Sequence, residues 1–346
     1  MNATKAQGGS MKSTAVNKLI YLLLSASVIL LMTGGCSAPK QIGDIEVKPT
    51  KGHSVVIGKF ALFKNGEKQK WTSTFFANRS LHLNILPDGK QKALIYKVDK
   101  SGSFYWDLAP GNYTILSYRL QDGSSIQGAE IRYRFTVPEK EENIYIGDLS
   151  MHHLAAWYKI DVEDKFDEAS DTFVHRYPDL PKPVKSLMTP EPKPWKESTF
   201  QYICSEQWGL DCSENFKGVT ALTPDVSHGR FEETDTLIPV FSWEPSSRED
   251  VTYDLVIYEA VECTYDPLGA KKDYIKGPIA LYEENLEQPT FQLKQPLKKG
   301  KKYLWSVRLR SSDGVTSWST LSHSYFLLFA WGSGYGEWFK FETPNK

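Results

Sequence analysis

Residues Gly102 to Ile115 read Gly-Ser-Phe-Tyr-Trp-Asp-Leu-Ala-Pro-Gly-Asn-Tyr-Thr-Ile. Alternating side chains flank the Pro110-Gly111 pair, and a period of two indicates β-strands. Proline fixes one backbone dihedral of a tight turn, and glycine supplies the positive dihedral that other residues avoid. The stretch therefore predicts two strands that follow one another through a sharp turn.

Further strand patterns lie on both sides of this stretch, separated by turn residues such as the hairpin signal Asn65-Gly66. The predicted strands are Val55–Phe63, Leu81–Leu86, Ala93–Val98, Asn112–Leu120, Glu130–Val137 and Asn143–Ile146. Aromatic residues make up 13% of the chain, and turns with glycine or proline are frequent, which favours sandwiches over helical bundles. We therefore predict an all-β first domain.

The motif in Gly102–Phe104, followed by the one in Leu108–Tyr113, resembles the signature of transthyretin-like domains. These include the regulatory sandwich domains of carboxypeptidases. The resemblance covers about residues 55–149 and implies a sandwich that serves as a scaffold or a binding module. We assign residues 52–177 to this domain and include in it one short helix, described next.

Residues 162–173 carry apolar side chains at positions 162, 166, 169 and 173, which is helical spacing. Acidic residues crowd the first turns, where the helix dipole favours them, and Tyr177-Pro178 ends the pattern. We expect a short amphipathic helix that lies on the first sandwich. The acidic cluster lacks the glycine of a calcium loop, so a solvated helix face is the preferred interpretation.

Residues 178–236 form the predicted connection between two domains. Six prolines between Pro178 and Pro194 indicate a semi-extended linker. Residues 195–235 show few periodic runs and contain Cys204 and Cys212.

The second domain, residues 237–346, begins with a strand that holds Trp243. Tyr253–Glu259 alternates cleanly, and Tyr303 is followed four residues later by Val307. This order resembles the fibronectin type III domain, in which a tryptophan marks the second strand. The resemblance implies a second β-sandwich, with longer segments than usual around residues 263–278 and 321–336.

The N-terminal part predicts export. Lys12 and Lys18 precede an apolar run, Leu19–Met32. The run is followed by Thr33-Gly34-Gly35-Cys36. A membrane-spanning helix needs ~20 apolar residues, and this run has 14, so a cleaved signal peptide (residues 1–35) fits better. A start at Met11 would leave this signal intact.

A cysteine directly after small residues resembles the lipobox of bacterial lipoproteins, although Thr33 replaces the common leucine. The resemblance implies lipidation of Cys36 with acyl chains such as palmitate, and residues 36–51 would be a tether. In Gram-negative lipoproteins an aspartate after the cysteine favours retention at the inner membrane. Ser37 therefore indicates the outer membrane, on its periplasmic or its surface face.

Export would place Cys204, Cys212 and Cys263 in a compartment that permits disulfides. Three cysteines allow three pairings, and one thiol is always left over. Cys204 and Cys212 make the shortest loop and are the candidate disulfide, while unpaired thiols remain the alternative. No histidine stands at a ligand spacing beside them, which disfavours a zinc site.

The composition excludes some functions. The net charge is −1, and about −4 once residues 1–35 with their three lysines are removed, which gives no reason to expect nucleic acid. His152 and His153 are neighbours, but adjacent strand residues point to opposite faces and cannot share a metal. No catalytic or phosphate-binding motif is present, so we expect no cofactor, no metal site and no enzyme.

One surface stands out for binding. Tyr325–Trp331 is an uninterrupted apolar run, followed by a glycine-rich turn with Tyr335 and then by Trp338. Such a run suits a strand buried on both faces or a docking loop. Our binding candidates are Tyr325, Trp331, Tyr335 and Trp338.

The leading hypothesis is a lipid-anchored, non-enzymatic envelope protein that binds or assembles with another envelope component. The first alternative is a surface protein that binds glycans through the aromatic residues of the 321–338 insertion. The second alternative is a hydrolase with carboxylates that no sequence pattern reveals.

Overall fold

The computed structural model describes residues 49–71, 79–122, 125–140, 142–154, 157–195, 219–224, 230–263, 273–312, 314–316, 318–319, 324–327, 330–333 and 338–345. Within these ranges the chain is all-β, with two β-sandwiches and one helix, which confirms the predicted fold class. No helix of the described part is long and apolar enough to cross a membrane.

The first sandwich consists of β1 Ser54–Lys64, β2 Glu67–Lys68, β3 Arg79–Pro87, β4 Leu94–Val98, β5 Ser103–Leu108, β6 Gly111–Asp122, β7 Ser125–Val137, β8 Ile144–Leu154, β9 Trp157–Glu163, α1 Phe166–Arg176, β10 Val184–Lys185 and β11 Thr189–Pro190. Sheet one has the order β10-β8-β1-β2, with β5 paired to β1 and β9 paired to β8. Sheet two has the order β11-β7-β6-β3-β4. The core lies between the two sheets.

The Pro110-Gly111 turn connects the two sheets. β5 pairs with β1 in sheet one, whereas β6 pairs with β3 and β7 in sheet two. The turn therefore crosses from one layer of the sandwich to the other. Gly111 has φ +148°, as the sequence predicts, and the Tyr113 hydroxyl donates to the Ala109 carbonyl at 2.7 Å. Trp106, fully buried, packs its ring on Phe104 at 3.8 Å between centroids.

Helix α1 covers the outer face of sheet one, as predicted. Phe173 and Tyr177 pack against Val55 and Tyr145. The helix begins later than the spacing indicates, because Val162 belongs to β9 and pairs with β8. An apolar residue every third or fourth position is compatible with a strand end followed by a helix.

The proline-rich segment after the helix is more ordered than a semi-extended linker. β10 adds to sheet one and β11 adds to sheet two, so the segment joins both layers of the first sandwich. Between them, Met188 is 3% exposed and belongs to the core. The segment then reaches Trp195, which packs on the second sandwich.

The second sandwich consists of β12 Ala221–Thr223, β13 Glu232–Glu233, β14 Val240–Trp243, β15 Thr252–Cys263, β16 Asp273–Leu286, β17 Thr290–Gln292, β18 Lys302–Ser311, β19 Gly314–Val315, β20 Ser324–Leu327, β21 Ala330–Ser333 and β22 Phe339–Glu342. Sheet three has the order β12-β14-β17. Sheet four has the order β13-β22-β18-β15-β16, with β19 paired to β18. β20 and β21 pair with each other.

The core of this sandwich contains Trp243, as predicted. Trp243 on β14 is 1% exposed and Trp305 on β18 is fully buried. The hydroxyl of Tyr303 accepts a hydrogen bond from the Lys298 amide at 3.1 Å, an arrangement typical of the tyrosine corner of Greek-key sandwiches. Sheets of three and four main strands in this order match the fibronectin type III arrangement.

Candidate functional site

The two sandwiches meet along an apolar strip, which we call the junction. Leu86 and Leu116 of sheet two pack against Val261 and Cys263 of β15, and all four are less than 5% exposed. The backbones also pair across the junction. The Ala93 amide donates to the Glu262 carbonyl, and the Glu262 amide donates to the Gln91 carbonyl, both at 2.9 Å. The two sandwiches therefore share hydrogen bonds of the kind that hold strands within one sheet.

Strand β3 supplies the junction because its side chains alternate between two faces. Leu83 points into the first core, whereas Asn84 points at the second sandwich. The Asn84 amide donates to the Ser117 hydroxyl at 2.8 Å, and its carbonyl oxygen lies 4.0 Å from the sulfur of Cys263. Cys263 is thus a buried thiol of the junction. Cys204 and Cys212 lie outside the described residues, so their disulfide stays a prediction.

Arg132 on β7 holds one end of the junction. Its Nε donates to Glu191 at 2.7 Å, its Nη2 donates to the Gly277 carbonyl at 2.7 Å, and its Nη1 donates to the Lys276 carbonyl at 3.3 Å. The guanidinium also lies 5.3 Å from the ring centroid of Tyr258. Only 5% of Arg132 is exposed, and its backbone has φ +56°, which non-glycine residues rarely adopt. One side chain therefore ties the proline-rich segment and both sandwiches together.

At Gly277, β16 lies close to the neighbouring strand β15. A Cβ atom there would meet the Glu259 carbonyl oxygen at 2.6 Å and a methyl group of Val261 at 2.5 Å. Only glycine fits this position without a shift of the backbone. The close approach fixes the position of β16, whose carbonyl oxygens accept hydrogen bonds from Arg132.

Lys276 connects the junction with the base of the 321–338 insertion. Its Nζ lies 2.7 Å from a carboxylate oxygen of Glu130 and 4.1 Å from the ring centroid of Trp338. Burial opposes ionisation of Glu130, but the charges of Lys276 and Arg132 outweigh it and lower the pKa of this carboxyl. Glu130 therefore remains an anion and holds Lys276 against the tryptophan.

Trp338 in turn continues a stack on the outer face of sheet four. Its ring centroid lies 6.0 Å from that of Trp318, and the guanidinium of Arg308 lies 4.4 Å from the Trp318 centroid. Arg308, 2% exposed, donates to the fully buried Asp254 at 2.8 Å. Two stacked rings with a cation at each end therefore connect the junction to the buried ion pair of the second sandwich.

The insertion itself contains β20 and β21, which we call the apolar ribbon. Its register pairs Ser324 with Ser333, Tyr325 with Gly332, Phe326 with Trp331, and Leu327 with Ala330. Residues that are directly opposite in an antiparallel pair share a face, so positions 326 and 331 share one face and position 325 lies on the other. Among the described strands, neither strand of the ribbon pairs with any other.

The four binding candidates stay a prediction. Tyr325 and Trp331 are at positions on opposite faces of the ribbon. Tyr335 lies outside the described residues. Trp338 is partly buried and packs on Tyr258, with ring centroids 5.4 Å apart, at the base of the insertion.

Several other predicted features lie outside the described residues, among them Cys36 and the whole signal peptide. In the described part of the chain, no group of three histidine, cysteine or acidic side chains could hold a metal ion.

Sequence reasoning missed Glu130, Arg132 and Lys276. The only signal was a run of charged residues, Glu130-x-Arg132-x-Arg134, on one face of a predicted strand whose other face is apolar. That pattern usually indicates a solvated face.

No protein-family model matches the chain, and no curated protein sequence matches it. Three solved structures are similar in part. The FN1–FN3 domains of chicken CNTN1 are 10% identical, with 80% of this chain and 68% of that chain covered and a TM-score of 0.18. A DUF3823 family protein from Bacteroides ovatus is 11% identical, with 85% and 100% covered and a TM-score of 0.15. A leucine-rich repeat protein from Bacteroides thetaiotaomicron is 12% identical, with 85% and 26% covered and a TM-score of 0.19.

Likenesses this distant carry no argument about function. The class of protein rests on the strand order described above. It is an all-β chain of two sandwiches, the second of them fibronectin type III-like.

Proposed function

We propose that this chain is a lipid-anchored protein of the bacterial outer membrane that docks another envelope component through the apolar ribbon. The two sandwiches act as a rigid frame and perform no chemistry. Cys36 carries the lipid, and residues 36–51 tether the frame to the membrane. We also assign the first sandwich to the transthyretin-like domains on its Gly102–Tyr113 motif.

The observation that carries this proposal is the pairing of the ribbon. β20 and β21 pair only with each other among the described strands, although the sequence from Tyr325 to Trp331 is apolar without interruption. A two-stranded ribbon is marginally stable in water by itself, and its outer edges carry unpaired amide and carbonyl groups. A partner that contributes a strand and an apolar surface would satisfy both needs.

The base of the ribbon supports the proposal as well. Loops that bind are typically held by a rigid scaffold. Trp338 follows the ribbon in the sequence, and it is held by Lys276, which is itself held by Glu130 of the other sandwich. The frame therefore fixes the position from which the ribbon extends.

A pull-down from solubilised outer membranes tests the docking. The full-length protein is compared with a Phe326→Ser, Trp331→Ser variant and with a Val240→Ser control, which alters an apolar side chain that is 45% exposed on sheet three. We expect a reproducible partner with the wild type and the control, and its loss with the ribbon variant. Recovery of the same proteins by all three would contradict the proposal.

Mass spectrometry of the mature N-terminus tests the anchor separately. We expect a diacylglyceryl group and usually a further acyl group on Cys36 as the first residue. An unmodified Cys36, or cleavage at another site, would contradict the anchor without affecting the docking.

The glycan alternative has less support. Trp338 packs between Lys276 and Trp318, so its ring already serves the fold.

A further inference from the structure

Four exposed lysines lie at one end of the first sandwich, which we call the distal end. Lys64 ends β1, Lys68 belongs to β2, Lys70 follows β2, and Lys100 lies in the turn after β4. The described residues of this end are 64–71, 79–80, 99–103, 121–122, 125–126, 153–154 and 157–158. In the part of the chain that the structure describes, none of the four lysines forms an ion pair.

A buried tryptophan brings the segments with these lysines together. Trp71 directly follows Lys70, is 4% exposed, and donates from its Nε1 to the Asp99 carbonyl at 2.7 Å. Because Asp99 directly precedes Lys100, Lys70 and Lys100 lie on either side of this hydrogen bond. The residues between Trp71 and Arg79 contain no charged side chain that could neutralise the lysines.

The acidic side chains of the distal end do not balance its lysines. Asp122 pairs with Arg79, so these two charges cancel. Glu67 and Asp99 are the other acidic residues among the described residues of this end, against four lysines. The chain as a whole has a net charge of −1, so the distal end holds a local excess of positive charge.

An aromatic pair lies beside the lysines on the outer face of sheet one. Phe63 and His152 are half-buried and stack with ring centroids 4.5 Å apart, and the residue before each of them is in the core. The register places Lys68 opposite Phe63 and Lys159 opposite His152, and Lys159 also pairs with Asp161. Aromatic rings pack on the apolar faces of sugars, and ammonium groups pair with carboxylates.

The distal end lies at the far end of β1 from the tether. The Thr50 amide donates to Asp107 at 3.2 Å, which fixes the chain just before the first strand. β1 then runs from Ser54 to Lys64, a length of about 30 Å at ~3.3 Å per residue. With the proposed lipid on Cys36, the membrane lies on the tether side, and the lysines are directed at components beyond the surface of the bilayer.

We propose that the distal end binds an acidic polysaccharide, whose sugar rings pack against Phe63 and His152 and whose carboxylate groups pair with the four lysines. The choice of a polysaccharide over a lipid head group rests on the proposed anchor. The chain as a whole does not attract a polyanion, so binding depends on the local excess of charge. This surface belongs to the first sandwich and is separate from the apolar ribbon, so both can be occupied at once.

Binding of polygalacturonate, a carboxylated polysaccharide, to the full-length protein in nonionic detergent tests the proposal. Microscale thermophoresis compares the wild type with the variant Lys64→Gln, Lys68→Gln, Lys70→Gln, Lys100→Gln. We expect binding by the wild type at low salt, no binding of neutral dextran, and roughly 15-fold weaker binding by the variant, at ~2-fold for each charge removed. Salt at ~1 M should abolish binding, because it screens charges beyond ~3 Å.

A matched variant controls for the total charge. Lys51→Gln, Lys90→Gln, Lys140→Gln, Lys182→Gln removes four exposed lysines from the tether side of the same sandwich and should change the affinity by less than ~2-fold. Replacing all four distal lysines with arginine keeps the charge and should retain binding.

The contribution of the aromatic pair has its own test. Phe63→Leu keeps an apolar side chain but removes the ring, so it should weaken polygalacturonate by ~3-fold. Inorganic polyphosphate has no sugar face, and its affinity should be the same for Phe63→Leu and the wild type.

Three results would overturn the proposal. The first is an equal loss of affinity in the two lysine-to-glutamine variants, and the second is equal binding of dextran and polygalacturonate. The third is displacement of polygalacturonate by phosphatidylglycerol added to the detergent micelles, which would assign the lysines to anionic lipid instead. None of these readouts depends on the ribbon or on the modification of Cys36.

Discussion

The junction and the apolar ribbon differ in how their polar groups are satisfied. At the junction, Arg132 makes three hydrogen bonds, and backbone groups of Gln91, Ala93 and Glu262 pair across the two sandwiches. The ribbon pairs only with itself among the described strands. The difference indicates that the junction is complete within this chain, whereas the ribbon is suited to contacts with another molecule.

A single chain of contacts joins these two regions. Glu130 of the first sandwich holds Lys276 of the second, and Lys276 lies against Trp338 at the base of the ribbon. A fixed junction therefore fixes the position of Trp338, which follows the ribbon in the sequence. Substitutions of residues in this series of contacts should reduce stability most at the junction and least at the ribbon. They should reduce partner binding most at the ribbon and least at the junction.

The largest loss of stability is expected at Arg132. Replacing it with alanine removes three hydrogen bonds and leaves the Gly277 carbonyl and Glu191 without this partner, which should lower the free energy of unfolding by about 3 kcal/mol. Urea denaturation measures the change. Arg134→Ala is the control, because Arg134 and its partner Asp88 are 44% and 47% exposed and should contribute less than about 1 kcal/mol. Equal losses in the two variants would remove the distinction between junction and surface.

A second substitution, Arg132→Gly, tests the cost of the left-handed backbone at this position. Glycine adopts φ +56° without strain, so this variant should be more stable than Arg132→Ala by roughly 0.5–1 kcal/mol, even though it is smaller. If the alanine variant proves the more stable of the two, the left-handed backbone is not costing free energy at this position.

An intermediate effect is expected for Lys276→Met, which keeps the length of the side chain and removes its charge. Loss of the partner should raise the pKa of Glu130 and destabilise the chain by about 1–2 kcal/mol. A cycle with Trp338→Leu should give a coupling of about 0.5–1 kcal/mol for the contact between the cation and the ring. Additive effects in the cycle would mean that the junction and the base of the ribbon are energetically separate.

The smallest effect on stability is expected in the ribbon. Phe326→Ser should change the free energy of unfolding by less than about 0.5 kcal/mol, because its partner surface is absent from the isolated chain. The same substitution should strongly reduce capture of the partner. A loss above about 2 kcal/mol would instead place Phe326 in the core of its own domain.

Much of the structure of the two sandwiches could be predicted from local sequence patterns. The alternation around Pro110-Gly111, the core position of Trp243 and the helix before Tyr177 all depend on residues close in sequence. The junction could not be predicted from the sequence, because Arg132 donates hydrogen bonds to carbonyl groups 144 and 145 residues further along the chain. Nothing in a charged, alternating strand distinguishes a solvated face from one that meets a second domain.

The proline-rich segment also shows that local sequence does not reveal contacts with distant strands. Prolines between residues 178 and 194 predict an extended course, and β10 and β11 are indeed extended. Whether such a course spans solvent or adds to sheet edges depends on distant strands, here β8 and β7. Local composition determines the conformation of the segment but not its partners.

Site-specific photocrosslinking in living cells tests whether the frame presents the ribbon to another envelope component. A photoreactive amino acid is placed at position 326 of the ribbon or, as the control, at position 240 on the exposed face of sheet three. We expect a discrete adduct from position 326, none from position 240, and a weaker adduct from position 326 when Arg132 is replaced with alanine. The same adducts from both positions, or none from position 326, would contradict it.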